Sequence, residues 1–451
     1  MVERDDAYFE RGAVVILDEL IRRAVGARAS DIHLEPKRDR MQVRMRIDGA
    51  LVEEQSIPPD IAPSVVSRIK VLARMDIAER RLPQDGQLTV EMSGRVVSLR
   101  ASTFPNLVGE KVVLRLLLGH SLLAFDKLGL DAATQATVEE IARRPQGFFV
   151  TCGPTGSGKT STLYACLNLI DTHRVNVVTL EDPVEVELPN ITQGQTHVKA
   201  GFTFATGLRA ILRQDPDVIM VGEIRDSETA GIALQAALTG HMVFTTLHTS
   251  DTVETVVRLI DLGVEPWIVA NALSCVLAQR LVRIPCAACQ DAAKLEVDLW
   301  DGDELLLPAG SRVMRPRGCA KCFKTGYRGR TGLFEVLVVD DDVRELVKTK
   351  GGVREYRELF ARRKIPSLRR VGYERVLKGA TTVDEIEVVR DGALRAGDGE
   401  GREGWRQGEA HGDRKRDAEH PAVGEASVVV VHRWGEGGAS WPGNQAGGAR
   451  R

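Results

Sequence analysis

A glycine-rich segment in the middle of the chain combines residue types and spacing that could bind phosphate. It fits the pattern G-x-x-x-x-G-K-[ST], in which consecutive backbone N–H groups point at phosphate oxygens. The lysine of such a loop reaches the β- and γ-phosphates, and its hydroxyl residue can hold Mg²⁺. We therefore predict a nucleotide site, with Thr160 as the Mg²⁺ ligand. The predicted binding residues are Gly153, Pro154, Thr155, Gly156, Ser157, Gly158, Lys159, Thr160 and Ser161.

The segments around this loop have the patterns that a phosphate loop needs. Residues 148–150 are short and apolar, as a buried strand is, and a helix is predicted over 159–170. Beyond residue 129, strand and helix patterns alternate, which is typical of a parallel sheet. Such sheets bind ligands outside the carboxyl ends of their strands. The predicted strands are 147–151, 175–180, 218–221 and 242–247.

Polar residues follow three of these predicted strands. Glu181 follows the second strand, Glu223 the third and His248 the fourth. A carboxylate in such a position can orient or deprotonate the attacking water, or hold Mg²⁺ through water. A histidine there can sense the γ-phosphate or polarise water. One such acid alone could be a helix cap, but three polar residues beside one phosphate loop favour a catalytic site.

Four arginines are candidates for contacts to phosphate, and the residues alone leave their interpretation open. Arg209 and Arg213 lie one turn apart on a predicted helix, where they could face a phosphate, a neighbouring subunit or solvent. Arg100 and Arg115 lie on predicted strands that should each have a polar face. Considered alone, these two are solvated surface charges.

Two C-x-x-C pairs, Cys286 with Cys289 and Cys319 with Cys322, have the spacing of a four-cysteine zinc site. The gap between the pairs is longer than the commonest ribbon spacing, and a looped insertion would absorb it. Four thiolates close a tetrahedral site, so the predicted zinc is structural. The alternatives are redox pairs or free thiols, and a reducing compartment favours metal over disulfides.

The composition describes an ordinary water-soluble protein of two or three domains. The chain has 451 residues, of which 43% are hydrophobic and 27% charged. A net charge of −2 gives no support to nucleic acid as the main partner. We find no run long and apolar enough to cross a bilayer and no signal peptide. The expected location is therefore the cytoplasm, with membrane contact only through partners.

Changes of pattern along the chain predict six segments. The tail is rich in Gly, Glu and Arg without periodicity, which is typical of disorder. The segments are an α/β N-terminal domain, 1–118; a linker, 119–130; a nucleotide-binding core, 131–283; a four-cysteine zinc element, 284–328; a helical C-terminal subdomain, 329–390; and a disordered tail, 391–451.

Taken together, the motifs resemble the type II secretion and type IV pilus assembly ATPases over nearly the whole ordered length. The matching stretches are 29–36, 44–49, the phosphate loop, 180–185, 212–226, 238–248 and the paired cysteines. The resemblance implies a hexamer of RecA-like P-loop ATPase domains, each preceded by a PAS-like α/β domain. It also implies ATP, Mg²⁺ and Zn²⁺ as ligands.

The resemblance also assigns roles to the candidate residues. Glu181 belongs to the family's aspartate box, Glu223 to its Walker B motif, and His241 and His248 to its histidine box. Glu223 would then orient the attacking water, with Glu181 assisting. The arginines that would approach nucleotide at a domain or subunit boundary are Arg100, Arg115, Arg209 and Arg213.

The activity implied is ATP hydrolysis that drives pseudopilus or pilus assembly. The implied partners are an inner-membrane platform protein and a cytoplasmic docking protein, with the motor peripheral at the inner membrane.

The family's secretion and assembly members usually carry a further N-terminal docking domain, for which we find no counterpart, and the tail matches nothing in the family. Retraction ATPases generally lack the four cysteines, which favours the assembly and secretion branch, with a pilus retraction ATPase as the alternative within the family. A nucleic-acid motor and a non-hydrolysing scaffold remain the alternatives from other classes.

Overall fold

The computed structural model describes residues 12–92, 95–117, 124–301 and 304–391. Most of the predicted linker up to residue 123, and the predicted tail from residue 392 onward, lie outside the described residues. Within these ranges, no helix has the combined length and apolarity that crossing a membrane requires.

The first part of the chain forms an antiparallel six-stranded sheet covered by two helices. Its strand order is β3-β2-β1-β6-β5-β4. Alternate residues such as Ile32, Val43 and Leu114 point to one face and are fully buried in a common core with residues of both helices. The elements are α1 (Ala13–Ala27), β1 (Ala29–Pro36), β2 (Met41–Ile47), β3 (Ala50–Glu53), α2 (Ala62–Leu72), β4 (Gln84–Met92), β5 (Arg95–Pro105) and β6 (Glu110–Leu117).

The opposite face of this sheet carries charged residues that pair across neighbouring strands. Arg44 Nη2 donates to both oxygens of Glu35, at 2.7 and 2.8 Å, and Lys111 Nζ lies 2.9 Å from Glu35 Oε1. Burial raises the pKa of Glu35, but the hydrogen bonds from Lys111 and Arg44 outweigh it and bring the pKa to about 2. Arg115 Nε donates to Asp31 at 2.9 Å. This face is therefore an ordered layer of ion pairs.

The second part of the chain contains the predicted parallel sheet and two small hairpins. Strands β7, β10 and β11 are buried at every position, because helices cover both faces of the sheet. The strands are β7 (Gly147–Cys152), β8 (Val177–Glu181), β9 (Thr192–Gln195), β10 (Val218–Val221), β11 (Met242–Leu247), β12 (Leu273–Pro285), β13 (Gln290–Lys294), β14 (Leu299–Asp301), β15 (Glu304–Leu307), β16 (Arg312–Pro316) and β17 (Tyr327–Val338).

The strand order of the larger sheet is β17-β12-β7-β11-β10-β8-β9. This order places the carboxyl ends of β7, β10 and β11 at one edge of the sheet. All neighbouring strands are parallel except β12 and β17, which are antiparallel. The helices are α3 (Ala132–Ala142), α4 (Lys159–Leu167), α5 (Phe204–Ile211), α6 (Ser227–Leu238), α7 (Thr252–Asp261), α8 (Pro266–Ala272), α9 (Asp341–Lys348), α10 (Val353–Arg363), α11 (Leu368–Leu377) and α12 (Val383–Asp391).

The structure differs from the sequence prediction at the start of the segment expected to be helical, 329–390. Residues up to Val338 belong to β17, and helices begin only at Asp341. The physical reason is pairing with β12, which buries Leu333 and Leu337 in the core of the sheet. Tertiary contacts thus decide the conformation of a stretch whose local pattern is ambiguous.

A buried ion pair fixes the last described helix to the large sheet. Arg283 on β12 lies 2.8 Å from Glu385 on α12, and both side chains are almost completely buried. The Arg283 guanidinium also stacks 4.0 Å from the centre of the Tyr327 ring, and Thr381 Oγ1 donates to Arg283 O at 2.9 Å. The guanidinium charge is therefore matched inside the protein rather than by water.

We expect Glu385→Gln to lower the free energy of unfolding by about 3 kcal/mol, because it removes the buried carboxylate that faces the Arg283 charge. The matched control is Glu358→Gln, since Glu358 pairs with Arg354 at 2.8 Å with both side chains exposed. That change should cost less than about 1 kcal/mol. Urea-induced unfolding of both variants measures the difference. Equal losses would contradict the assignment of a buried, tightly coupled pair.

Candidate active site

The phosphate loop joins β7 to α4, and its glycines adopt backbone angles that few other residues tolerate. The angle φ is 147° at Gly153, 81° at Gly156 and 90° at Gly158. A Cβ atom at Gly153 would lie 2.5 Å from Gln279 O, and one at Gly158 would lie 2.8 Å from Gln279 Nε2. Side chains therefore do not fit at either end of the loop, because β12 lies directly against it.

Lys159 is held over the loop by the loop's own carbonyl groups. Its Nζ donates to Gly153 O at 2.8 Å and to Pro154 O at 3.1 Å. Burial lowers the pKa of Lys159, and the charge of Glu223 opposes that shift in part. The loop follows β7 and Glu223 follows β10, and both strands pair with β11, so Lys159 and the predicted Walker B acid lie at the same edge of the sheet.

The rest of the loop fits a phosphate ligand. Ser157 Oγ is buried and has no hydrogen-bond partner among the residues described, so a phosphate oxygen could accept its proton. Thr155 is exposed, while Thr160 and Ser161 are partly exposed at the start of α4. The N-terminus of a helix favours anions at this position.

Glu223 and His248 meet at the carboxyl ends of two adjacent strands, β10 and β11. His248 Nε2 lies 3.2 Å from Glu223 Oε2, and Arg225 lies 2.6 Å from Glu223 Oε1. Thr246 Oγ1 donates to Gly222 O at 2.8 Å, which ties the two strand ends together. The carboxylate is mostly buried, at 12% exposure, while His248 is 48% exposed. This arrangement can orient a water molecule and hold a proton beside the loop.

Glu181 has a different environment from Glu223. It is 2% exposed, and both carboxylate oxygens accept hydrogen bonds from uncharged groups. Tyr164 OH donates to Oε2, while Thr179 Oγ1 at 2.5 Å and Gln193 Nε2 at 3.0 Å donate to Oε1. The structure thus ties Glu181 to α4 and β9, and its role in assisting water attack stays a prediction.

The four predicted arginines do not converge on the phosphate loop within one chain. Arg100 Nη2 donates to Val184 O at 3.4 Å, while Arg115 pairs with Asp31. Arg209 lies 2.7 Å from Glu228, and Arg213 Nη1 donates to the Arg209 carbonyl at 2.8 Å. Their predicted contacts to nucleotide would have to come from movement or from another subunit.

His241 lies far from His248, although both belong to the predicted histidine box. It precedes β11, whereas His248 follows it, so the two are about 20 Å apart along the strand. His241 Nδ1 contacts Ala236 O at 2.9 Å, at the end of α6. Of the two histidines, His248 is therefore the one that contacts Glu223 within a single chain.

Two residues of β12 contribute to the site although no sequence pattern indicates them. Gln279 Oε1 accepts a hydrogen bond from Thr162 on α4, at 2.7 Å, and both side chains are buried. Arg280 Nη2 donates to Ser250 O at 2.7 Å, in the segment that follows His248. Burial lowers the pKa of Arg280. No spacing rule identifies them, because their position depends on the parallel pairing of β12 with β7.

The four predicted zinc ligands come together at the end of β12. The Sγ atoms of Cys286, Cys289, Cys319 and Cys322 all lie within 4.8 Å of one another. The separation is 3.8 Å between Cys289 and Cys322, and 3.7 Å between Cys319 and Cys322. A Zn–S bond of about 2.3 Å gives a tetrahedron with edges of about 3.8 Å, whereas a disulfide needs about 2.05 Å. The four thiols therefore fit a metal and not disulfides.

Backbone groups contact the cysteine cluster, and a contact to the first sheet lies just beyond it. The N–H groups of Cys319 and Gly326 donate to Cys322 Sγ at 3.1 and 3.3 Å, which holds this sulfur in place. Beyond the cluster, Gly329 N–H donates to Asp48 Oδ2 at 2.8 Å. Gly329 belongs to β17 and Asp48 lies in the turn between β2 and β3, so the larger sheet contacts the first sheet just beyond the four cysteines.

Sequence comparison finds similar proteins over most of the chain. The family model described as "Type II/IV secretion system protein" matches residues 5–388. "Type II secretion system protein E" of Pseudomonas aeruginosa is 46% identical over 390 residues, which cover 86% of this chain and 76% of that protein. "Type IV pilus assembly ATPase PilB" of Thermus thermophilus is 43% identical over 380 residues, covering 84% of this chain and 43% of the relative.

Structure comparison gives a related result. The crystal structure of the pilus retraction motor PilT with bound ADP aligns with a TM-score of 0.56 and 25% sequence identity. The alignment covers 82% of this chain and 96% of that one. The mixed α/β fold is therefore shared with a protein that binds a nucleotide.

We expect one zinc ion per chain in the purified protein, and its loss in Cys289→Ser, because a hydroxyl is a poor substitute for a thiolate ligand. Cys275→Ala is the matched control, since Cys275 is buried on β12 away from the cluster and should keep the metal. Elemental analysis after dialysis measures the ratio. Equal zinc content in both variants would rule out the four-cysteine site.

Proposed function

Because the chain belongs to the type II/IV secretion system protein family, we propose that it hydrolyses ATP to drive assembly of a pseudopilus or pilus. The family resemblance and the enzyme class predicted from the sequence are confirmed by this membership. The observation that carries the proposal is the pairing of Glu223 with His248 at the ends of β10 and β11, beside β7, the strand that leads into the glycine loop. A non-hydrolysing scaffold would have no need of that pair.

In the proposed reaction, the chain's own residues bind the phosphates and orient the attacking water. The loop N–H groups and Lys159 would bind the β- and γ-phosphates, and Thr160 would hold Mg²⁺, which neutralises phosphate charge when bound. Glu223 would orient the water that attacks the γ-phosphorus. His248 and Arg225 fix the Glu223 carboxylate, so it need not reorganise during the step.

Coupling of hydrolysis to motion would involve the arginines that lie outside the single-chain site. We propose a hexamer in which Arg209 and Arg213, exposed on and after α5, face the nucleotide of a neighbour. Arg100 and Arg115 would approach nucleotide as the first domain moves. Cations supplied across a moving boundary make turnover depend on the geometry of the ring.

The domain roles follow the same proposal. The six-stranded sheet would be the PAS-like domain and the seven-stranded sheet the RecA-like motor, with the four-cysteine element as a structural zinc site. The motor would act in the cytoplasm at the inner membrane, through a platform protein and a cytoplasmic docking protein. The domain boundaries predicted from the sequence are proposed with one change, since residues 329–338 belong to β17 of the larger sheet.

We expect Glu223→Gln to lower kcat for ATP by at least about a hundredfold while the KM changes little, because the amide cannot accept a proton from water. Lys159→Ala should abolish turnover by removing the phosphate ligand. Glu140→Gln, an exposed acid on α3, is the control and should match the unmodified protein. Phosphate release assays with MgATP measure all three. Unchanged turnover in Lys159→Ala would overturn the proposal.

A cell experiment separates the branches of the family. With Lys159→Ala in the source cell, surface pili and secreted protein are quantified side by side. Loss of secretion with pili intact identifies a secretion motor, and loss of pili with secretion intact identifies a pilus assembly motor. Excess pili would instead indicate retraction and contradict the assembly proposal.

A further inference from the structure

Tyr164 places a phenol between the phosphate-loop helix and Glu181. It lies on α4, the helix that begins at Lys159, and is 4% exposed. Its hydroxyl donates to Glu181 Oε2. Burial and the hydrogen bond to Glu181 raise the pKa of Tyr164 far above its ordinary value. The phenol therefore stays protonated, and Glu181 is always the acceptor in this contact.

The second oxygen of Glu181 continues the connection to β9. Gln193 Nε2 donates to Glu181 Oε1 at 3.0 Å and to Val186 O at 3.1 Å. Gln193 Oε1 accepts the N–H of Leu188 at 2.6 Å. One side chain thus holds both the carboxylate and the segment that follows it, residues 182–191.

The same segment receives an arginine from the first sheet. Val184 N–H donates to Gln195 Oε1 at 3.2 Å, and Val184 O accepts Arg100 Nη2 at 3.4 Å. Arg100 belongs to β5. Hydrogen bonds therefore link α4 to Glu181, Glu181 through Gln193 to the 182–191 segment, and the backbone of that segment to the six-stranded sheet.

We propose that Tyr164 is a positioning residue. Through its hydrogen bond to Glu181, it transmits movement of the phosphate loop and α4 to the 182–191 segment and Arg100. The inference rests on the proposed ATPase function. Movement of α4 when phosphate binds would move the Tyr164 hydroxyl, and a buried carboxylate cannot lose a donor without shifting towards another. Glu181 acts in this path as the junction and not as the group that activates water.

A double-mutant cycle of Tyr164→Phe and Glu181→Gln tests the path, because Phe removes only the hydroxyl, and Gln removes the charge and replaces one acceptor oxygen by an NH2 donor. Tyr356→Phe is the matched control: Tyr356 is equally buried, on α10, and no hydrogen bond of its hydroxyl is present among the residues described. Three quantities are measured for each protein. They are the Kd for ADP, kcat with MgATP, and hydrogen exchange of the backbone amides of Val184 and Leu188.

For Tyr164→Phe we expect the Kd for ADP to stay within about twofold and kcat to fall about tenfold, the effect of losing one hydrogen bond to a charged group. Exchange of the Leu188 and Val184 amides should be faster than in Tyr356→Phe. The double variant should be no worse than the more impaired single variant, because both changes break the same path.

Two results would overturn the inference. One is amide exchange and kcat in Tyr164→Phe equal to those of Tyr356→Phe. The other is a loss of at least about a hundredfold in kcat for Glu181→Gln with amide exchange unchanged, which would make Glu181 a direct catalyst. If Tyr164→Phe does not fold, Gln193→Leu cuts the path one step later and is judged by the same measurements. Absence of turnover in the unmodified protein would count against the proposed function, and amide exchange alone would then decide whether the path exists.

Discussion

The close approach of β12 to the phosphate loop is the constraint on which the rest of the site depends. Gln279 lies so near both ends of the loop that only glycine fits at Gly153 and Gly158. The same side chain bonds Thr162 on α4, so the loop is fixed from outside as well as by its own turns. Lys159 follows this loop at the start of α4, so its position at the edge of the sheet depends on the support from β12.

The residues at the strand ends can be predicted from the sequence. A short apolar run indicates a buried parallel strand, and the acid or histidine that follows it then lies at the carboxyl end of that strand. Glu223 and His248 meet as that pattern suggests. The environment of Glu181 cannot be predicted in this way, because Tyr164 and Gln193 come from other elements and reach it only through the packing of α4 and β9. Arg280 escapes prediction for the same reason, since a charged residue on a strand has no local signal.

At the level of the fold, the alternation of strand and helix patterns predicts four strands of the larger sheet, β7, β8, β10 and β11. The segment expected to be helical, 329–390, begins with most of β17, whose conformation depends on pairing with β12, a strand that lies far away in the sequence. The four cysteines are the opposite case. Their spacing alone predicts the cluster, because thiolate geometry around a metal leaves few arrangements for two C-x-x-C pairs.

The contact between Gly329 and Asp48 has a mechanical consequence. Gly329 belongs to β17, which pairs with β12, the strand that lies against the phosphate loop. Its N–H group donates to the Asp48 carboxylate at 2.8 Å, in the turn between β2 and β3. Relative motion of the two sheets would therefore strain or break this hydrogen bond at the strand pair that supports the loop.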